Sequence, residues 1–220
     1  FISNHAGSGA GVSVYHAVVK NSLFEDNIAK GTNPFFGGGA LLVVSDANIQ
    51  NSRFIRNSAP IGGGVQLIFY PPEGVTGGSR IINNLWIDND AVLGNGSAVA
   101  IGLDVDPLPG SYVEFTHNTV TRHARNTGSG VYAARSSVDV YNNIIERHRI
   151  GVHTTKSTAL MDDNLFFDNV SNFVGVEAGP NDLTGDPKFV DAANHDYHLQ
   201  PGSPAQDSGM DAGIAVDFDG

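Results

Sequence analysis

The chain contains no cysteine, so neither disulfides nor thiolate-bound metals contribute to its stability. Charged residues are scarce at 16%, and 12 Lys and Arg stand against 23 Asp and Glu, which gives a formal net charge of −11. This balance argues against nucleic acid and against anionic membrane surfaces as partners. No apolar run approaches the ~20 residues that span a bilayer, so we expect no membrane insertion by this segment.

What the chain does contain is a seven-residue box that recurs six times. Its fourth position is always large and apolar, and its seventh is always Asn or His. The copies are 21–27 (NSLFEDN), 51–57 (NSRFIRN), 83–89 (NNLWIDN), 117–123 (HNTVTRH), 142–148 (NNIIERH) and 163–169 (DNLFFDN). A fixed element with spacers of variable length is typical of a solenoid, in which each repeat forms one coil and insertions fall in loops.

Residues 128–148 show how one coil is built. A glycine-rich turn precedes a short strand through Val131 and Ala133, a second strand alternates through Val138 and Val140, and the box follows as the third strand. The same order recurs in the other repeats. The sequence therefore predicts an all-β fold, a right-handed parallel β-helix with three short strands per coil and about seven coils.

The repeats also predict how this solenoid is divided. The coils occupy residues 1–184, and residues 185–220 form a C-terminal closing segment of the same solenoid. The first coil is incomplete, because residues 1–4 (FISN) match only the last four positions of the box. We therefore expect the chain to be a piece of a longer polypeptide.

Stacking of coils about 4.8 Å apart places equivalent residues over one another. The fourth box positions are therefore predicted to form one buried stack of Phe24, Phe54, Trp86, Val120, Ile145 and Phe166. The seventh positions are predicted to turn a corner in a left-handed backbone conformation and to form a ladder of hydrogen bonds along the axis.

The box and the tail carry a resemblance to known proteins. FxxN motifs at 1–4, 24–27, 54–57 and 166–169 combine with GGGA at 37–40 and GGGV at 62–65. This pairing resembles the repeats of chlamydial polymorphic outer-membrane proteins and related bacterial β-helix adhesins. Residues 185–209 (GDPKFVDAANHDYHLQPGSPAQDSG) resemble the closing segment of many secreted bacterial proteins of the pectate-lyase-like superfamily.

This resemblance covers nearly the whole chain. It implies a β-helix that is secreted or exposed at a bacterial cell surface. It does not imply a reaction, since the superfamily includes polysaccharide lyases, glycoside hydrolases, epimerases, phage tailspikes and non-enzymatic adhesins.

A basic and histidine-rich band between residues 117 and 156 is the sharpest local anomaly. It holds six of the 12 Lys and Arg and four of the eight His. Two Arg share the sixth box position and two His the seventh, so they are predicted to stack at one corner, while a Tyr and a His after equivalent glycines form a second column. The candidate ligand-binding residues are Arg122, His123, Tyr132, Arg147, His148 and His153.

These side chains suit a groove for an anionic polysaccharide. Guanidinium groups pair with carboxylate or sulfate, a tyrosine ring stacks on a sugar, and a histidine can act as a base. The alternative is that they are solvated corner residues that continue the polar ladder with another residue type.

Asp104 and Asp106 (LDVDP) form a second candidate site. They share a face of the chain as it leaves a first strand, as a calcium site or a glycosidase acid/base pair requires. Paired acids in turns also serve only for solvation and main-chain capping. No cofactor other than calcium is implied. The neighbouring insertions 31–36, 70–78 and 104–111 are predicted to project from one side and to shape a cleft.

Three functions remain open. The leading hypothesis is a secreted or cell-surface bacterial β-helix with a structural, adhesive or glycan-binding role, whose partner is a polysaccharide or a cell-surface glycan. The rival is a polysaccharide lyase or glycoside hydrolase acting on an acidic polysaccharide at the Arg/His band. No family catalytic motif surrounds that band, so we favour a role without catalysis. The third is a subunit that assembles end to end into a fibre.

Overall fold

The computed structural model describes residues 1–33, 35–69, 78–104, 112–123, 128–211, 213–214 and 218. These residues form an all-β parallel β-helix with three main strands per coil, as predicted. Among them the one helical element is a single 3₁₀ turn, Ala192–Asn194, and no helix is long and apolar enough to cross a membrane.

Three long parallel sheets run along the axis, each built from one strand per coil. Sheet 1 contains Val12–Val14, Leu41–Val43, Val65–Leu67, Val99–Ile101, Ser129–Ala134, Ile150–Thr155 and Ser171–Val174. Sheet 2 contains Ala17–Lys20, Ala47–Gln50, Ser79–Ile82, Tyr112–Thr116, Ser137–Tyr141 and Thr158–Asp162. Sheet 3 contains the box strands Leu23–Glu25, Arg53–Ile55, Leu85–Ile87, Thr119–Thr121, Ile144–Glu146 and Leu165–Phe167, followed by Leu183–Thr184.

The fourth box positions form the predicted axial stack. They pair in register from coil to coil along sheet 3, and each is at most 1% exposed. The ring centroids of Phe24 and Phe54 lie 5.1 Å apart, and those of Phe54 and Trp86 lie 4.2 Å apart, with ring planes within 10°. Large side chains are retained at this position because each fills the space between two neighbouring coils.

The left-handed backbone lies at other box positions than predicted. It occurs at the sixth position in Asp26, Arg56, Asp88, Arg147 and Asp168, and at the first in Asn21, Asn51, Asn83, His117, Asn142 and Asp163. In the first three boxes the seventh residue is buried instead, and its amide carries the predicted ladder: Asn27 Nδ2 donates to Asn57 Oδ1 at 2.8 Å, and Asn57 Nδ2 donates to Asn89 Oδ1 at 2.9 Å. The seventh side chain points inward because it donates a hydrogen bond to its equivalent in the next coil. The left-handed turn is therefore made by the sixth residue.

A second amide ladder, which the sequence reasoning missed, follows the second box position. The Nδ2 of Asn84 donates to Asn118 Oδ1 at 3.0 Å, and the chain of bonds continues through Asn143 to Asn164 at 3.2 and 2.9 Å. Every box carries Ser or Asn at this position, which was the available signal. The ladder satisfies backbone groups where sheet 2 turns into sheet 3.

Two features add to the three-strand coil. The first four coils carry a fourth short parallel sheet, made of His5–Ala6, Ile28–Ala29, Ser58–Ile61 and Asp90–Asn95. After Leu183–Thr184 the chain forms an antiparallel hairpin, Phe189–Asp191 with Asp196–Leu199. Tyr197 of this hairpin packs against Ile55, Leu85 and Ile87 on the outer face of sheet 3. We refer to the described residues after Thr184 as the strap.

Candidate functional site

Tyr132 and His153 share a column on the outer face of sheet 1, as predicted. They are paired in register on neighbouring strands, and their ring centroids lie 5.2 Å apart in an edge-to-face arrangement. Tyr132 is 8% exposed and His153 is half-buried. Burial lowers the pKa of His153, so its imidazole is neutral near neutral pH. Burial also raises the pKa of Tyr132.

Three charged groups stand beside this column. Arg135 and Lys156 follow consecutive strands of sheet 1, both with φ of 51°. The carboxylate of Asp104 lies 3.0 Å from Lys156 Nζ and 3.2 Å from Arg135 Nε. The hydrogen bond from Lys156, supported by Arg135, lowers the pKa of Asp104. We call Asp104, Tyr132, Arg135, His153 and Lys156 the sheet 1 cluster.

Arg135 and Lys156 belong to the basic band but are not among the site residues predicted from the sequence. The signal was positional: both occupy the residue after a sheet 1 strand in consecutive repeats, where Gly102 and Gly175 also take positive φ. Side chains at equivalent positions of stacked coils lie close together. The repeat therefore brings two cations onto one edge of the sheet.

The proposed calcium pair is described only in part. Asp106 lies outside the described residues, and Asp104 is engaged by two cations. In the described part of the chain, no group of three or more His, Asp and Glu side chains is arranged to hold a metal ion. The predicted cleft of insertions also lies largely outside this part, at residues 34, 70–77 and 105–111.

The corner residues of the basic band do not share one accessible surface. His148 is 1% exposed, with its Nδ1 3.3 Å from Ser97 Oγ and its Nε2 without a partner among the described residues. The Arg122 side chain is 14% exposed, and its guanidinium donates to the carbonyl of Asn89. His148 takes the buried seventh position that Asn fills in the first three boxes, and Arg122 lies against the backbone of the preceding coil.

His123 faces outward instead of stacking on His148. Its backbone N–H donates to Asp88 Oδ1 at 2.8 Å, its Nδ1 contacts the other oxygen of that carboxylate, and its side chain is 41% exposed. Burial raises the pKa of Asp88, but the hydrogen bonds from His123 outweigh it and hold that pKa below its ordinary value. Arg147 lies at the corner in a left-handed conformation, with Nη1 3.5 Å from the carbonyl oxygen of Arg122.

Burial of His148 predicts acid sensitivity. Burial, and then the charge of Arg122, lowers its pKa to about 3, whereas an unfolded histidine has a pKa near ~6.5. Below pH ~6.5 the His148 imidazole therefore binds a proton in the unfolded chain but not in the folded chain. The free energy of unfolding falls as the pH drops, by up to about 1.4 kcal/mol per pH unit. We expect His148→Asn, which restores the ladder residue, to flatten this loss between about pH 6.5 and 5.

Urea unfolding at several pH values measures this effect. His5→Asn, which changes an exposed histidine, is the matched control and should keep the wild-type slope. Superimposable pH profiles for wild type and His148→Asn would show that His148 does not carry the acid sensitivity.

Comparison of the chain with models of protein families, with curated proteins and with solved structures finds no match. The sheet 1 cluster offers two cations and a half-buried neutral imidazole beside a buried tyrosine on one outer face, and the cations can hold a carboxylate-bearing sugar.

Proposed function

We propose that this protein is a secreted or cell-surface bacterial β-helix that binds an acidic glycan at the sheet 1 cluster. The observation that carries the proposal is the pair of cations, Arg135 and Lys156, one coil apart beside the Tyr132–His153 column. A rigid solenoid holds such groups at a fixed spacing, so a ligand with repeating charges meets them without rearrangement of the backbone.

A glycan can bind here by replacing the carboxylate of Asp104 as the partner of the two cations. Asp104 is the carboxylate that both contact, and its side chain is 40% exposed. A uronate or sulfate group brought by a glycan offers the same acceptor chemistry and can take over these contacts. Such exposed ion pairs are screened over ~8 Å at physiological ionic strength, so binding should weaken as salt is added.

A panel of alginate, pectate and glycosaminoglycan oligomers tests the proposal by titration calorimetry. Removing both cations, in Arg135→Ala/Lys156→Ala, should weaken binding about tenfold or more, since charge-assisted hydrogen bonds contribute about 1.5–3 kcal/mol each. The melting temperature should stay close to that of the wild type, because exposed ion pairs contribute little to stability.

Arg80→Ala is the matched control. Arg80 makes a similar surface ion pair, with Glu114 at 2.7 Å, but lies on sheet 2. The Arg80→Ala substitution should leave glycan binding unchanged. Equal losses in the two variants would indicate a nonspecific effect of charge, and wild-type binding to no acidic glycan would contradict the proposal.

A polysaccharide lyase is the second candidate, and one observation favours it. The neutral imidazole of His153 belongs to the sheet 1 cluster together with the two cations, and β-elimination from a uronate requires a base near a group that neutralises the carboxylate. Absorbance of unsaturated uronates during incubation with each glycan decides between the two. Turnover that disappears in His153→Gln would establish the lyase. We expect binding without turnover.

A further inference from the structure

The outer face of sheet 3 is apolar over much of its length. Its third box positions stand in register in one column of Arg53, Leu85, Thr119, Ile144 and Leu165. The strap lies along this face, and it is anchored by Tyr197 on Leu85 and by two hydrogen bonds of 2.9 Å between the Met210 backbone and the Asn142 side chain. The strap therefore shields side chains that would otherwise meet water.

The strap does not fill the space above the sheet. Cavities of about 540 and 420 Å³ remain between the two, and they adjoin because both are lined by His117, Ile144 and Leu199. Together they follow the column across five strands, or about 19 Å at about 4.8 Å per strand. The larger cavity has the size of sites that hold small organic molecules.

The larger cavity has an apolar body and a cationic end. Leu85 and Ile144 form part of its floor, and Tyr197 and Phe218 contribute rings from the strap. The guanidinium carbon of Arg53 lies 5.0 Å from the centroid of the Phe218 ring. Stacking on a ring fixes the guanidinium plane and leaves the N–H groups at its edge to bind a planar anion.

The charges around the cavity favour an anion. Among the described residues that line it, Asp196 is the one carboxylate, and that group is engaged by His198, whose Nδ1 lies 2.5 Å away. His117 and His195 also line the cavity; burial lowers the pKa of His117, so its imidazole adds no charge and the guanidinium of Arg53 is the group that attracts the anion. In the described part of the chain Arg53 has no carboxylate partner, although the chain carries a net charge of −11.

We propose that this cavity binds a small organic carboxylate with a planar apolar body. Arg53 receives the carboxylate, and the ring of the ligand lies in the cavity bordered by Tyr197 and Phe218 of the strap and by Leu85 and Ile144 of sheet 3. This site lies on a different sheet from the cluster proposed for glycans and does not depend on it. An acidic oligosaccharide shares the carboxylate but lacks the apolar body, so it should bind here more weakly.

The test uses 2-naphthoate as the probe and measures its affinity by titration calorimetry. We expect saturable binding with Kd below about 1 mM. Arg53→Ala should weaken it about tenfold or more, because the charge-assisted hydrogen bonds are lost. Arg56→Ala is the matched control: this arginine is paired with Glu25 and Asp26 on the corner, outside the cavity, and should leave the affinity unchanged. Uncharged 2-naphthalenemethanol should bind about tenfold more weakly than the acid.

Further arms separate this site from the glycan site. Arg135→Ala/Lys156→Ala should bind 2-naphthoate as the wild type does, and trigalacturonate should not displace the probe. Absence of binding, equal binding by Arg53→Ala, or displacement by trigalacturonate would overturn the proposal. Arg53→Lys keeps a cation without the planar fork, and we expect an intermediate affinity from it.

Discussion

Replacing Phe54 by alanine will lower the free energy of unfolding by about 3–5 kcal/mol, as measured by urea denaturation. Phe54 is fully buried, and its ring is stacked between Phe24 and Trp86. Neighbouring coils are held at a fixed spacing by parallel hydrogen bonding on three sheets, so they cannot close on the empty space. The cost therefore includes the cavity as well as the lost burial of the ring.

Val18→Ala serves as the control for the Phe54 experiment. Val18 also lies in a strand, on sheet 2, but it is 76% exposed. Its loss should change the free energy of unfolding by no more than about 0.5 kcal/mol. If Phe54→Ala lowered the free energy of unfolding by no more than Val18→Ala does, the aromatic stack would not be the core of the β-helix.

Asn118→Ala should cost about 3 kcal/mol or more, although it removes only a small polar side chain. Its Oδ1 accepts hydrogen bonds from the backbone and side chain of Asn84 and from Trp86 Nε1, at 3.0 to 3.3 Å. Its Nδ2 donates to the carbonyls of Ile81 and Thr116 and to Asn143. Truncation leaves several of these buried groups unpaired, at about 1–3 kcal/mol each.

Two further variants make the Asn118 measurement specific. Asn181→Ala changes an exposed asparagine and should have an effect below about 0.5 kcal/mol. Asn118→Ser should recover part of the loss, because Ser occupies this box position in earlier coils, where Ser52 Oγ accepts from the Ser22 backbone at 3.1 Å. Equal stability of the Ala and Ser variants would show that the ladder does not contribute through its acceptors.

The repeat explains why so much of the fold could be predicted. A side chain such as Trp86 sits over its equivalent in the next coil, so one spatial contact appears in the sequence as a recurring residue type. The same kind of signal was present for the second ladder, as Ser or Asn at every second box position, but it was not used. Leu85 and Ile87 flank the inward Trp86 and leave no polar alternation, which was an unused sign that the outer face of sheet 3 is covered. A strand that is apolar on both faces must be covered on both.

The packing of the strap and the orientation of the side chains at the seventh box position could not be predicted in this way. Tyr197 lies outside the repeats, so its packing on Ile55 and Leu85 leaves no recurring pattern in the sequence. His123 and His148 share a box position, yet their surroundings differ: Asp88 holds the first outward, whereas the second lies against Ser97 inside. Position in a repeat fixes where a backbone runs, and local partners decide where a long side chain points.

The most direct test of the proposed function is an NMR titration of the protein with an acidic oligouronate, in which the ring protons of Tyr132 and His153 are followed. We predict saturable shifts of both rings at low salt, loss of these shifts in Arg135→Ala/Lys156→Ala, and no shift of the exposed His16 ring on the outside of the first coils. Binding that leaves Tyr132 and His153 unperturbed, or no binding to any oligouronate, would contradict the assignment of the sheet 1 cluster.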